Sequence, residues 1–333
     1  MVDAEIYTES LLDKIKVLNE TIWENKILRK NIDLWLNNFE TDEEKLHSLY
    51  LLSEFMYFGS TQMRQLLKTL YRDLYRYPIV EQIRRNFSDT LDSAIIEKEF
   101  AETEKKTRFF GVGNPSESGA HLLYFFRQEN KLSKRLFINT DEIFDRSDPL
   151  NLKLSNPDLE YYIFIDGFCG SGSQISRDTA LKSTIQNIRL IAPTKKIYYL
   201  MLFATSNGIA NVRKSGFFDS VNCVVELDNT FRCFDVGSRY FQNPENPVDK
   251  AIAKTTAYKY GLPLIKSVCL SDGCPPSKVD AIAENHVYGF NDCQLLLGFH
   301  HNTPDNTLPI VWYDEQDQPW VPIFRRYNKK YGF

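Results

Sequence analysis

The spacing of apolar residues along this 333-residue chain changes near residue 105. Before that point it is helical. Leu11, Leu12, Ile15, Leu18 and Ile22 form one stripe; Ile27, Leu28, Ile32, Leu34, Trp35 and Leu36 form another. Thr41 with Glu44 three residues on is a capping box, which predicts a helix running through Phe55. Tyr57-Phe58-Gly59-Ser60-Thr61 then reads as a turn, and Gln62 to Lys68 as the next helix. That outline fits a helix-turn-helix and fits an ordinary helical bundle equally well. Arg64, Arg72, Arg76, Arg84 and Arg85 either add a basic face or pair with neighbours such as Asp73 and Glu81. The pattern divides the chain into a helical region, 1–105, and a second domain, 106–333.

Beyond residue 106, short apolar runs alternate with helical stretches. Phe109-Phe110-Gly111-Val112-Gly113 is a strand entering a loop, and a helix follows from Ala120. Phe137-Ile138 is a further short strand. The polar excursion from Asn139 to Glu160 has the length of a flap or hood over a site. Tyr161 to Ile165, Lys196 to Phe203 and Val221 to Leu227 read as strands, the first two buried on both faces. Val248 to Tyr260 reads as a helix capped by Gly261, and Cys293 to Phe299 as a last strand. Strands alternating with helices predict an α/β fold with a mostly parallel sheet, preceded by the all-helical N-terminal region.

Composition narrows the class. The chain is 43% hydrophobic and 25% charged, a globular balance. Its net charge of -4 argues against a globally basic nucleic-acid binder and leaves room for a local basic face. Most of the 23 Phe and 18 Tyr lie in apolar runs, which assigns them to the core before any base-stacking role. The six cysteines form no C-x-x-C pair. No apolar run approaches the length of a membrane span. The expected setting is therefore reduced and cytoplasmic, with no membrane partner.

The stretch with most chemical content is Asp166-Gly167-Phe168-Cys169-Gly170-Ser171-Gly172-Ser173-Gln174, directly after the buried run 161–165. A strand, a glycine-rich turn and a helix direct backbone amides at one point, which suits a phosphate. The stretch has no Gly-Lys-[Ser/Thr], so it is not a Walker A loop. It lacks the third glycine of a dinucleotide fingerprint, and the flanking glycines of a nucleophile elbow. What remains is an acid at a strand end and a hydroxyl-glycine pair at a helix start. That set suits a sugar phosphate, with Asp166 accepting from ribose hydroxyls and Ser171, Ser173 and the 168–173 amides holding a 5′-phosphate. Asp166 could instead cap the turn. Cys169 could be a nucleophile, although no histidine stands near it in sequence.

These residues resemble the phosphoribosyl-pyrophosphate loop of type I phosphoribosyltransferases. The resemblance is closer to the phosphoribosyltransferase-like family of prokaryotic conflict systems. It rests on three pieces in order: Gly111-Val112-Gly113 with Glu117-Ser118-Gly119-Ala120-His121, then 166–174, then Gly298-Phe299-His300-His301-Asn302-Thr303-Pro304-Asp305 with Trp312, Trp320 and Phe324. It implies a sheet of type I phosphoribosyltransferase type and a site for phosphoribosyl pyrophosphate or a nucleotide, with Mg²⁺ as cofactor. Catalysis would be transfer or cleavage at C1′ around Asp166. The alternative is a sensor that binds a nucleotide or a nucleic-acid end without turnover. The family's link to anti-phage loci and retrons implies a defence effector, with a reverse transcriptase and its DNA/RNA product as partner.

By order, Gly113, Ser116, Glu117, Ser118, Gly119 and His121 correspond to a diphosphate loop. Glu117 and His121 are either an acid–base pair or a cap and a surface residue. His300, His301, Asn302 and Asp305 form a C-terminal candidate pocket. Adjacent histidines in a strand would face opposite sides, so a shared metal is not expected there. Three positions depart from the pattern: Gly167 stands where type I enzymes carry a second acid, Gly170 where purine-salvage members place a base-assisting Asp, and Gln174 where a Thr commonly closes the phosphate loop.

Overall fold

The computed structural model describes residues 4–113, 118–147, 151–314 and 319–327, without the side chains of 118–121 and 176. The chain divides into two compact units, residues 61–227 and residues 1–60 together with 228–333. The expected 1–105 helical region is thus shared between both units, and so is the 106–333 segment.

The 61–227 unit is built on four parallel strands: β1 (Thr107–Gly111), β2 (Tyr161–Cys169), β3 (Lys196–Thr205) and β4 (Ser220–Leu227). They lie side by side in that order. Helices α1 (Ser118–Glu129), α2 (Ser173–Arg177), α3 (Thr179–Ile191) and α4 (Ser206–Lys214) connect them. On one face Phe110, Phe164, Tyr199 and Met201 share a core with Leu181, Ile185 and Ile188 of α3 and Ile209 and Val212 of α4. On the other, Phe109 meets Tyr75 and Phe126 of α1 edge-on, with ring centroids 5.0 and 5.2 Å away. Both faces are covered, which is why β2 and β3 read as unbroken apolar runs.

The β1–β2 connection wraps around the β1 edge. It runs through α1 on one face and forms a parallel bridge at that edge, Phe137 to Phe109. It then places Ile143, Phe144 and Leu159 in the core of the opposite face. In the hood expected over 139–160, Ile143, Phe144 and Leu159 are therefore packed into the core, while Leu152 stays exposed.

Helix Ser60–Thr69 continues through a π-helical stretch, Leu70–Arg76, into helix Tyr77–Asn86. Pro78 lies in the first turn after the π segment. A proline ring inside a helix clashes with the carbonyl four residues back, and the wider π turn relieves that clash. The π segment turns Tyr75 into the sheet, where its hydroxyl donates to Thr107 Oγ1 at 2.9 Å.

In the other unit, helices Ala4–Thr21, Arg29–Leu36, Asp42–Ser53, Lys250–Ser271 and Pro276–His286 enclose a core that includes Trp23, Trp35, Phe55, Trp312 and Phe324. Three expectations are corrected here. Met56–Phe58 is a strand paired in parallel with Leu297–Phe299, so a strand replaces the turn of the expected helix-turn-helix. The expected 293–299 strand contracts to Leu297–Phe299, since Gln294 adopts a φ of 56° that breaks extended pairing. Helix Lys250–Ser271 runs through Gly261 and Pro263 instead of ending there. A Cβ at Gly261 would lie 2.8 Å from the Val287 carbonyl oxygen, so this glycine permits a close backbone approach and does not cap the helix.

The capping box forms as expected. Thr41 Oγ1 accepts from Glu44 N, and Glu44 Oε2 accepts from Thr41 N, both at 3.1 Å. Glu44 also pairs with Lys259 at 2.7 Å and accepts from the Tyr260 hydroxyl. Burial alone would raise its pKa. The Lys259 ammonium, the Tyr260 hydroxyl and the Thr41 amide outweigh burial and hold it down at about 2. That is below the value of roughly 4.3 expected in an unfolded chain. The contribution is therefore complete above about pH 4.3 and fades as pH falls toward 2. Glu44→Gln is expected to cost about 1 kcal/mol at pH 6 and progressively less on acidification, read from urea midpoints.

Candidate functional site

The four strands end at one edge of the sheet, where ligands of open parallel sheets bind. At the end of β2, Asp166 is 7% exposed. Its Oδ1 accepts from Gly167 N at 2.7 Å and its Oδ2 from the Tyr199 hydroxyl at 2.6 Å. Tyr199 is fully buried, and burial, followed by the charge of Asp166, raises its pKa well above 10. It therefore stays a hydroxyl donor. Register puts Tyr199 opposite Phe164, one step along the same face from Asp166. Sequence reasoning missed Tyr199 because it sits inside an apolar run.

Cys169 joins the same buried group, and its thiol is pushed up to about 12 by burial and then by Asp166. A thiol held there is protonated at neutral pH, which disfavours the nucleophile reading.

The turn is pinned from one side by the β3–α4 corner. Thr205 Oγ1 donates to the Gly170 carbonyl at 2.5 Å and accepts from Gly208 N at 2.9 Å. Asn211 Nδ2 donates to the Ser171 carbonyl at 2.9 Å. In a trans peptide the N–H lies opposite the C=O. With the Gly170 carbonyl turned to Thr205, the Ser171 amide is turned away from α4, toward the outer side of the turn. Gly172 has φ +73°, and a Cβ there would meet the Gly208 carbonyl oxygen at 2.9 Å. Ser171 Oγ donates to Ser173 Oγ at 2.8 Å. Gln174 is exposed, and Phe168 pairs in register with Phe203. A Cβ at Gly167 would have nothing within 4 Å.

The remaining site expectations divide as follows. Gly113, two residues past the end of β1, has φ 96°. Ser116 and Glu117 lie outside the described residues, as do the side chains of Ser118 and His121; Gly119 is in the first turn of α1. In the other unit, His300 and His301 leave the Leu297–Phe299 strand and sit in the following turn, their ring centroids 4.9 Å apart. Asn302 Oδ1 accepts from Tyr327 N at 3.0 Å, and Asp305 pairs with Arg326 at 3.2 Å. Both residues hold the C-terminal segment. The helical arginines are engaged as well: Arg64 with Glu129, Arg72 with Asp73, Arg76 with Glu97 and Arg85 with Glu81. No group of three or more His, Cys, Asp or Glu among the described residues could hold a metal ion. No helix among them is long and apolar enough to cross a membrane.

A parallel, doubly covered sheet with a pinned glycine turn at its carboxyl edge is the architecture of a nucleotide- or sugar-phosphate-binding α/β protein. The PRTase-CE family model matches residues 32–326, and the chain belongs to this phosphoribosyltransferase-like family. A solved structure of Helicobacter pylori xanthine-guanine-hypoxanthine phosphoribosyltransferase also matches. It is 16% identical over 41% of this chain and 89% of that one, with a TM-score of 0.20. Among curated protein sequences none matches.

Proposed function

We propose that the 166–174 turn binds the ribose-5-phosphate portion of phosphoribosyl pyrophosphate or of a nucleotide. The observation that carries this reading is the pinned turn. Thr205 holds the Gly170 carbonyl on one side and so commits the Ser171 amide to the other, while Asn211 holds the Ser171 carbonyl. A pre-set amide costs no reorganisation when an anion arrives. The family membership supports the same ligand class.

Binding without turnover is the better-supported form of this proposal. Asp166 acts as an anchor, with both carboxylate oxygens already accepting hydrogen bonds. Gly167 and Gly170 bring no further carboxylate. The same facts fit a protein-held Mg²⁺ poorly, since such an ion needs an accessible carboxylate or two beside the phosphates. Transfer at C1′ would need those groups from the ligand or from a partner. In the wider reading the protein is an effector in anti-phage defence, and that role rests on the sequence resemblance alone.

The test is calorimetric titration with phosphoribosyl pyrophosphate and with nucleoside monophosphates. The wild type is expected to bind, and Gly172→Val to bind at least tenfold more weakly, because a side chain at φ +73° displaces the turn. Equal affinities, or no binding by the wild type, would remove the proposal.

A further inference from the structure

The amino ends of the strands form the sheet's other edge, about 26 Å from the turn by the length of β2. There Arg108, the second residue of β1, is half-buried and fixed. Its Nη1 donates to the Lys105 and Thr107 carbonyls at 3.0 and 2.7 Å. That engages one of the three guanidinium nitrogens and leaves other N–H donors for a ligand. The parallel Phe137–Phe109 bridge puts Arg135, two residues before Phe137, beside the start of β1 that carries Arg108. The chain brings them together because α1 ends beside the start of β1, and Lys134–Leu136 leads into the Phe137–Phe109 bridge. Lys131 and Lys134 are exposed on the same connection.

Among the described residues no carboxylate pairs with Arg108, Lys131, Lys134 or Arg135. The adjacent acids have other cations: Glu129 is taken by Arg64 and Lys68, Glu160 by Lys106 and Glu102 by Lys105. Lys131 and Lys134 also complement the carboxyl end of α1, which accounts for their sign. That does not account for a fixed arginine held beside a second one, in a chain whose net charge is -4.

We infer that this edge is a docking surface for the phosphodiester backbone of a nucleic acid strand. Two guanidinium groups at one end of the sheet suit a phosphodiester backbone, since each can fork onto phosphate oxygens. An exposed aromatic stands earlier on the same connection. Tyr124 on α1 is 52% exposed, accepts from Gln128 at 2.9 Å and has Arg127 5.8 Å from its ring. An exposed ring flanked by a guanidinium gives a base a surface to stack on, which favours a nucleic acid over an acidic peptide. The surface is separate from the 166–174 turn, which lies at the opposite edge of the sheet.

The experiment is fluorescence anisotropy of the full chain with short labelled single-stranded DNA and RNA, titrated from about 50 to 200 mM salt. Arg135→Gln is read first, because Arg108 also ties down the start of β1. It is expected to bind several-fold more weakly. Arg108→Gln/Arg135→Gln should bind at least tenfold more weakly, with its salt slope smaller by about 1.4, two contacts' worth for a single strand. The control Arg29→Gln/Arg85→Gln removes the same charge from two exposed ion pairs and should stay within twofold of wild type. Three results would overturn the inference: no binding by wild type, equal weakening in the control, or displacement of the oligonucleotide by polyglutamate at matched charge concentration.

Discussion

Gly208→Ala is expected to destabilise the protein by about 1–3 kcal/mol and to weaken ligand binding at the 166–174 turn at least tenfold. The direction runs against helix propensity, since alanine is favoured over glycine inside a helix by about 1 kcal/mol. Packing decides the outcome. A Cβ at Gly208 would lie 2.4 Å from the Gly170 carbonyl oxygen, 2.9 Å from that of Cys169 and 3.2 Å from the Cys169 sulfur. The two nearest atoms are backbone, so the corner and the turn must separate. Separation breaks the Thr205 bridge that joins Gly208 N to the Gly170 carbonyl. Urea unfolding and calorimetric titration give the two readings. Wild-type values in both would mean that contact with the corner does not set the turn's shape.

Tyr199→Phe is expected to cost about 2–3 kcal/mol, because it takes the hydroxyl donor from a buried carboxylate. The effect should be strongly non-additive. Asp166→Leu/Tyr199→Phe, which replaces both partners by apolar groups, should be less destabilised than the sum of the single variants by about 0.5–3 kcal/mol. Additive costs in that cycle would show that the pair is not an energetic unit. Ligand affinity should follow stability at Tyr199 only as far as the turn is disturbed, because the hydroxyl lies behind it.

The strand–turn–helix at 161–177 was legible because three signals agree there: an unbroken apolar run, an acid at its end and glycines after it. The groups that give the turn its shape were not. Tyr199, Thr205, Gly208 and Asn211 come from the next crossover and meet the turn only through sheet register. Tyr199 was hidden further by burial on both faces, since a strand without polar–apolar alternation does not announce which face a side chain takes. The helix through Gly261 and Pro263 was misread because both residues are strong local breakers, and packing of Gly261 against Val287 overrode them. The Met56–Phe58 strand was missed because three residues are too few to show a period of two, and its partner stands about 240 residues away.

The open flank of Gly167 bears on how this loop can change over generations. Every glycine codon becomes an aspartate or glutamate codon by one substitution at its second base. A Cβ added at 167 meets nothing within 4 Å. A second carboxylate can therefore be gained or lost at this position in one mutational step with no backbone clash at the Cβ. Selection on that residue would act through the loop's chemistry alone, so descendants of one ancestor could alternate between one-acid and two-acid loops while keeping the same fold.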